Sequence, residues 1–90
     1  MARVTWSRRA LANLNAIFVY LYDANPDAAA AVFLNLRDAA ASLDLMPDRG
    51  RPVGGDRREL THVRPYVIRY RVKGTRVEIL EVRHAARRPE

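Results

Sequence analysis

Between Met46 and Arg57 the hydrophobic period of this chain changes, and that change limits what it can fold into. Before it, apolar residues recur every three or four positions, the spacing of one helix face. After it, apolar and polar residues alternate, the spacing of a strand with one buried side. The divide itself, "MPDRGRPVGGDR", gathers Pro47, Gly50, Pro52, Gly54 and Gly55, and is expected to be a loop. Helices grouped together and then strands grouped together indicate an α+β chain, not an alternating α/β one. Its 90 residues can enclose one two-layer core, so residues 1–90 are expected to form a single domain.

The first half supplies the helical layer. "RVTW" sets Val4 and Trp6 against Arg3 and Thr5, the alternation of a short N-terminal strand. Ser7 then stands where a helix N-cap is needed, and Ala10, Leu14, Ile17, Phe18 and Leu21 make an apolar stripe over about four turns. A second helix opens at "NPDAA". Asn25 can cap it, Pro26 suits a first turn in which its missing N–H has no partner, and Asp27 favours the positive end of the dipole. Val32, Leu36, Ala39 or Ala40, and Leu43 continue the stripe. The short Asn-Pro junction predicts an antiparallel helical hairpin, and the many alanines let the helices approach closely.

The second half supplies a sheet. "RRELTHV", "YVIRYRVKG" and "TRVEILEVRH" read as three strands, the last two joined through a tight turn at Lys73-Gly74-Thr75. Tyr66, Ile68, Tyr70 and Val72 share one face of the middle strand, and Val67, Arg69, Arg71 and Lys73 share the other. The last strand is apolar on both sides in part, through Val77, Ile79, Leu80 and Val82, which predicts a central position. The expected architecture is an N-terminal strand and an antiparallel two-helix hairpin packed on one face of an antiparallel β-sheet, completed by three C-terminal strands. That arrangement leaves an opposite sheet face carrying Arg69, Arg71 and Lys73. Like charges at alternate positions require solvent or cross-strand acids, for which Glu78 and Glu81 are available.

Charge is distributed unevenly. The net +6 arises because residues 1–48 hold four arginines against five aspartates, whereas residues 49–90 hold twelve cations against five acids. A field of that kind draws anionic partners. All the cations but Lys73 are arginine, whose planar fork suits carboxylate or phosphate. Without cysteine the fold has no disulfide and no thiolate zinc site, in keeping with a cytoplasmic protein. No apolar run approaches the roughly 20 residues that cross a bilayer, and no signal-peptide core is present, so no membrane partner is expected.

Chemistry-bearing residues are few. His84 is the clearest titratable group near neutral pH, and His62 is a weaker one. The two histidines lack ligand spacing and "GRPVGG" lacks a Gly-Lys-Ser/Thr ending, so neither a metal nor a nucleotide cofactor is expected. The aromatics fall on inferred core faces, leaving no stacking platform for single-stranded nucleic acid.

Taken in order, "RRALANLNAIFVYL", "NPDAA", "MPDRGRP", "RREL", "PYVIRYRV" and "ILEVRHAAR" resemble the ParE/RelE toxin superfamily of bacterial toxin–antitoxin modules across nearly the whole chain. The resemblance implies a compact toxin neutralised by a cognate antitoxin, with operator DNA reached only indirectly through that antitoxin. It also implies one of two activities: inhibition of DNA gyrase by binding, as in ParE-like members, or ribosome-dependent messenger-RNA cleavage, as in RelE-like members. Cleavage by a 2′-hydroxyl needs a base, an acid and cations on the phosphate. Arg58, Arg69, Arg83 and Arg87 could serve as the cations, but base and acid are scarce, and His84 with Arg83 would be the catalytic pair only in a RelE-like enzyme. "RHAAR" resembles the H-x-x-R ending of ParE-like toxins through His84 and Arg87, with Ala85 where glycine is frequent and Arg88 where an acid is. The expected reading is therefore a non-enzymatic, gyrase-binding toxin. Its contacts to antitoxin or target would come from Arg58, Arg69, Arg71, Lys73, Arg83, His84, Arg87 and Arg88.

Overall fold

The computed structural model describes residues 1–86. Strand β1 (Arg3–Trp6) leads into helix α1 (Arg8–Ala24), helix α2 (Pro26–Ala41) and a single 3₁₀ turn (Ser42–Asp44); β2 (Arg51–Gly54), β3 (Arg57–Leu60), β4 (Tyr66–Lys73) and β5 (Arg76–His84) follow. Both expected caps form. Ala10 N donates to Ser7 Oγ at 3.0 Å, and Ala28 N donates to Asn25 Oδ1 at 3.1 Å with Pro26 opening the helix.

All five strands join one sheet in the order β1-β5-β4-β3-β2. Two features depart from the expectation of an antiparallel sheet entered by a loop. The segment expected to be loop contains β2, which pairs antiparallel with β3. Its Pro52 is tolerated because β2 is an edge strand, and Gly54 (φ 122°) and Gly55 (φ 56°) supply the backbone that reverses the chain. The N-terminal strand lies parallel to β5, so the sheet is mixed. A parallel neighbour needs a long crossover, and the whole hairpin plus three strands lies between Trp6 and Arg76. At the β4–β5 turn Gly74 takes φ 58° while Thr75 keeps negative φ, the combination of a type II′ hairpin.

The core lies between the helices and one sheet face. Leu36, Leu43, Ile68, Tyr70, Val77 and Ile79 are fully buried there, with Ala10, Leu14, Ala39 and Ala40 closing the gap and Trp6 packed at its margin. Each large side chain contributes roughly 1.5–3 kcal/mol by leaving water. The half-exposed Arg69 and Arg71 alternate with these residues on β4, as the sequence pattern predicts.

One irregularity decides which residues at the end of β5 join the cation-bearing face. The pairing of β4 and β5 shifts between Arg69 and Tyr70: Tyr70 opposes Ile79, but Arg69 opposes Glu81, leaving Leu80 as an extra residue. Strict alternation from Val77 and Ile79 would have turned residues 81 and 83 toward the helices. The bulge reverses that parity, burying Val82 in the core and sending Glu81 and Arg83 to the open face. Helix α1 satisfies the disturbed backbone, since Ser7 Oγ donates to Leu80 O at 3.0 Å and Val82 N donates to Asn13 Oδ1 at 3.1 Å.

Candidate functional site

Strand register arranges the open face in rows. Across its middle, Arg51 on β2, Glu59 on β3, Arg69 on β4 and Glu81 on β5 are successive cross-strand neighbours. Glu59 is 5% exposed and is the hub. Arg69 donates to its Oε2 through Nε at 3.2 Å and Nη2 at 2.8 Å, Arg83 Nη2 donates to the same oxygen at 3.1 Å, and Arg51 Nη2 donates to Oε1 at 3.2 Å. Glu81, also buried, pairs with Arg9 at 3.1 Å, Arg83 at 3.6 Å and Arg69 at 4.0 Å. Burial alone would push the Glu59 carboxyl up. The Arg69 hydrogen bonds and the charges of Arg69, Arg83 and Arg51 outweigh that and hold it below the ordinary carboxylate value.

The next row carries Arg57, Arg71, Glu78 and Thr5, in which Arg71 Nη2 donates to Glu78 Oε1 at 2.8 Å. The last row, beside the β4–β5 turn, is Lys73, Arg76 and Arg3.

The expected site residues therefore divide. Arg69, Arg71, Lys73 and Arg83 do share the open face. Arg58 does not: it pairs with Tyr70 on the helical side, where its Nη1 donates to Asp48 O at 3.1 Å and Gly50 O at 2.7 Å and secures the segment before β2. His84 is also separate. It lies opposite Tyr66, whose ring it meets edge-on at 5.8 Å, and its Nδ1 accepts the Ala86 N–H at 3.1 Å. Strand alternation turns the adjacent Arg83 and His84 side chains to opposite sides of the sheet, the Arg83 guanidinium being held on Glu59, although both residues border the groove beside Tyr20. His62 lies between β3 and β4, where it borders a concavity with Arg51 and Glu59. Arg87 and Arg88 lie outside the described residues. Among the described residues no cluster of three or more His, Cys, Asp or Glu could hold a metal, and no helix is long and apolar enough to cross a membrane.

Sequence reasoning named Glu78 and Glu81 as cross-strand acids but missed Glu59. Its role depends on the β3–β4 register; the available signal was one acid within "RREL", a strand otherwise bearing arginine outward. Asn13, which anchors the bulge from α1, gave no signal of its own.

A second anchor supports the same region. Tyr70 Oη donates to Pro47 O at 2.8 Å and accepts the Gly50 N–H at 2.8 Å. A Cβ on Gly50 would come within 2.7 Å of that oxygen and 2.8 Å of the Glu59 carbonyl oxygen, so glycine is required by space. Burial of Tyr70 raises its pKa, keeping the phenol protonated to donate.

Beyond the sheet, helix α1 exposes Val19, Tyr20 and Tyr22, and Tyr20 borders a groove with Asn13, Ile17, Tyr66 and His84.

Known proteins resemble this chain in sequence and in fold. Residues 4–89 match the family model described as the ParE toxin of the type II toxin-antitoxin system, parDE. The chain is 49% identical to Toxin RelE2 of Caulobacter vibrioides, with 97% of this chain and 99% of the relative covered. It is 39% identical to Putative toxin Y4kP of Sinorhizobium fredii, over 92% of this chain and 88% of that protein. A solved structure titled Chromosomal ParDE TA system from P. aeruginosa superposes with a TM-score of 0.83 at 28% identity, covering 93% of this chain and 96% of that one. The two-helix layer, the mixed sheet and the matched sequence agree, and the chain belongs to the ParE toxin family of type II toxin–antitoxin systems.

Proposed function

We propose that this ParE-family toxin acts by binding DNA gyrase, without catalysing a reaction itself, and that a cognate antitoxin neutralises it in the cytoplasm. One observation carries the reading. RNA cleavage needs a proton-transferring group and phosphate-holding cations converging on one atom. Here the His84 ring meets Tyr66 edge-on on the helical side, while the Arg83 and Arg69 guanidinium groups are held by Glu59 on the opposite side. Guanidinium groups already paired to a buried carboxylate serve a rigid binding scaffold better than a nascent phosphorane.

The antitoxin reading draws on the ParDE neighbour and on the exposed helix positions Val19, Tyr20 and Tyr22. An acidic antitoxin segment settling on the central arginines would have to compete with Glu59 and Glu81. The apolar side of α1 imposes no such competition, and burying its aromatic rings would favour association. Antitoxin engagement therefore starts on α1.

The test is a supercoiling reaction with purified gyrase. The chain alone should block supercoiling or trap cleaved DNA, and addition of the small protein encoded beside it should restore activity. Intact supercoiling alongside messenger cleavage on translating ribosomes would replace this reading with the RelE-like one.

A further inference from the structure

The open face is not uniform, and its end row differs from its middle. Arg76 on β5 has Lys73 of β4 directly across on one side and Arg3 of β1 directly across on the other. All three are exposed, and none has an ion-pair partner among the described residues. With Arg71, Thr5 and Glu78 they line a concavity of about 510 Å³. Like charges placed directly opposite each other destabilise a sheet. Two rows away the same sheet matches its arginines with buried carboxylates, yet this row has none.

We propose that Arg3, Lys73 and Arg76 form a sequence-independent binding site for the phosphate backbone of duplex DNA. The row crosses three strands, about 10 Å, a length of duplex axis that carries about six phosphate charges over both strands. The chemistry of the lining selects this occupant. All six lining residues are polar or charged, so a protein partner would find no apolar anchor of the kind that centres protein interfaces, whereas duplex interfaces are predominantly cationic and polar. No aromatic ring is present to stack an unpaired base, which disfavours single strands. Glu78, the one carboxylate, is already engaged by Arg71, which leaves Thr5 as the single acceptor free to address the 2′-hydroxyls by which proteins select RNA. The site does not depend on gyrase being the target, because the contact is with DNA directly.

Fluorescence anisotropy of the full chain with a labelled 20-base-pair DNA duplex, titrated over a range of salt, tests this. The wild type should bind with affinity falling steeply as salt rises. A triple variant, Arg3→Gln, Lys73→Gln and Arg76→Gln, should flatten the log–log salt slope by about 2 to 3, at about 0.9 for each phosphate no longer neutralised. A charge-matched control carrying Arg8→Gln, Arg37→Gln and Arg64→Gln should change the slope by less than about 1, by the same relation. Thermal unfolding of the site variant should be unchanged or shifted upward, since like-charge repulsion is removed, which separates a binding defect from a folding defect. Equal loss in both triple variants would reduce the effect to net charge and overturn the proposal. So would absence of wild-type binding at low salt, preference for an RNA duplex or single strand of equal length, or displacement of DNA by polyglutamate at an equal concentration of charge.

Discussion

Glu59 and Arg69 face each other across the β3–β4 pair, with two guanidinium N–H groups on one carboxylate oxygen at 3.2 and 2.8 Å. Because Arg83 and Arg51 converge on the same carboxylate, removing its charge leaves three guanidinium groups without their shared counter-charge. Glu59→Gln should lower stability by about 2–4 kcal/mol, below the ~3–5 of a fully buried pair because Arg51 reaches solvent. Urea unfolding of the two proteins measures it, and a difference under about 0.5 kcal/mol, as is typical of surface substitutions, would show the hub to be ornamental.

The same carboxylate sets an acid response. Its folded-state pKa is depressed from an ordinary 4.5, so the unfolded chain binds the proton more readily. The stabilisation is therefore complete above about pH 4.5 and is lost as pH falls through the lower folded value. Unfolding free energy measured from about pH 6 down to about pH 3 should decline less steeply in Glu59→Gln than in the wild type. Parallel curves would assign the acid sensitivity to other carboxylates.

Tyr70 and Gly50 form the second anchor. Tyr70→Phe removes the donor to Pro47 O and leaves the Gly50 N–H unsatisfied, at a cost of about 1–3 kcal/mol. Gly50→Ala should cost at least as much, because its Cβ meets main chain as well as a ring. Thermal unfolding ranks the two, and an unperturbed Gly50→Ala protein would contradict the contact.

At the bulge, Asn13→Ala should destabilise by about 1–2 kcal/mol, since Val82 N loses its acceptor. Hydrogen exchange at Val82 should accelerate more than exchange at Val77, which lies away from the bulge. Uniform acceleration would indicate a global effect instead.

Much of the architecture was legible because it rests on period and caps. Ser7, Asn25-Pro26 and the stripe from Ala10 to Leu21 specify their helices locally, and Tyr66 to Lys73 specifies which side of β4 meets them. What escaped depends on the tolerance of an edge strand, on a bulge, and on partners distant in sequence. β2 hides in a Pro- and Gly-rich stretch because an edge strand tolerates both residue types. β1 joins β5 in parallel through residues more than seventy positions apart. The bulge at Leu80 cannot be read from alternation, and it decides which side receives Glu81 and Arg83. The arginine-bearing face was therefore predictable, but its division into a carboxylate-bound middle and an unpaired row at Arg3, Lys73 and Arg76 was not.

The most direct test of the central claim compares the wild type with His84→Ala, both checked by thermal unfolding, in gyrase supercoiling and in messenger cleavage on translating ribosomes. A binding toxin predicts that both proteins inhibit supercoiling at similar concentrations and that neither cuts messenger. Ribosome-dependent cleavage by the wild type, abolished in a fully folded His84→Ala protein, would contradict it.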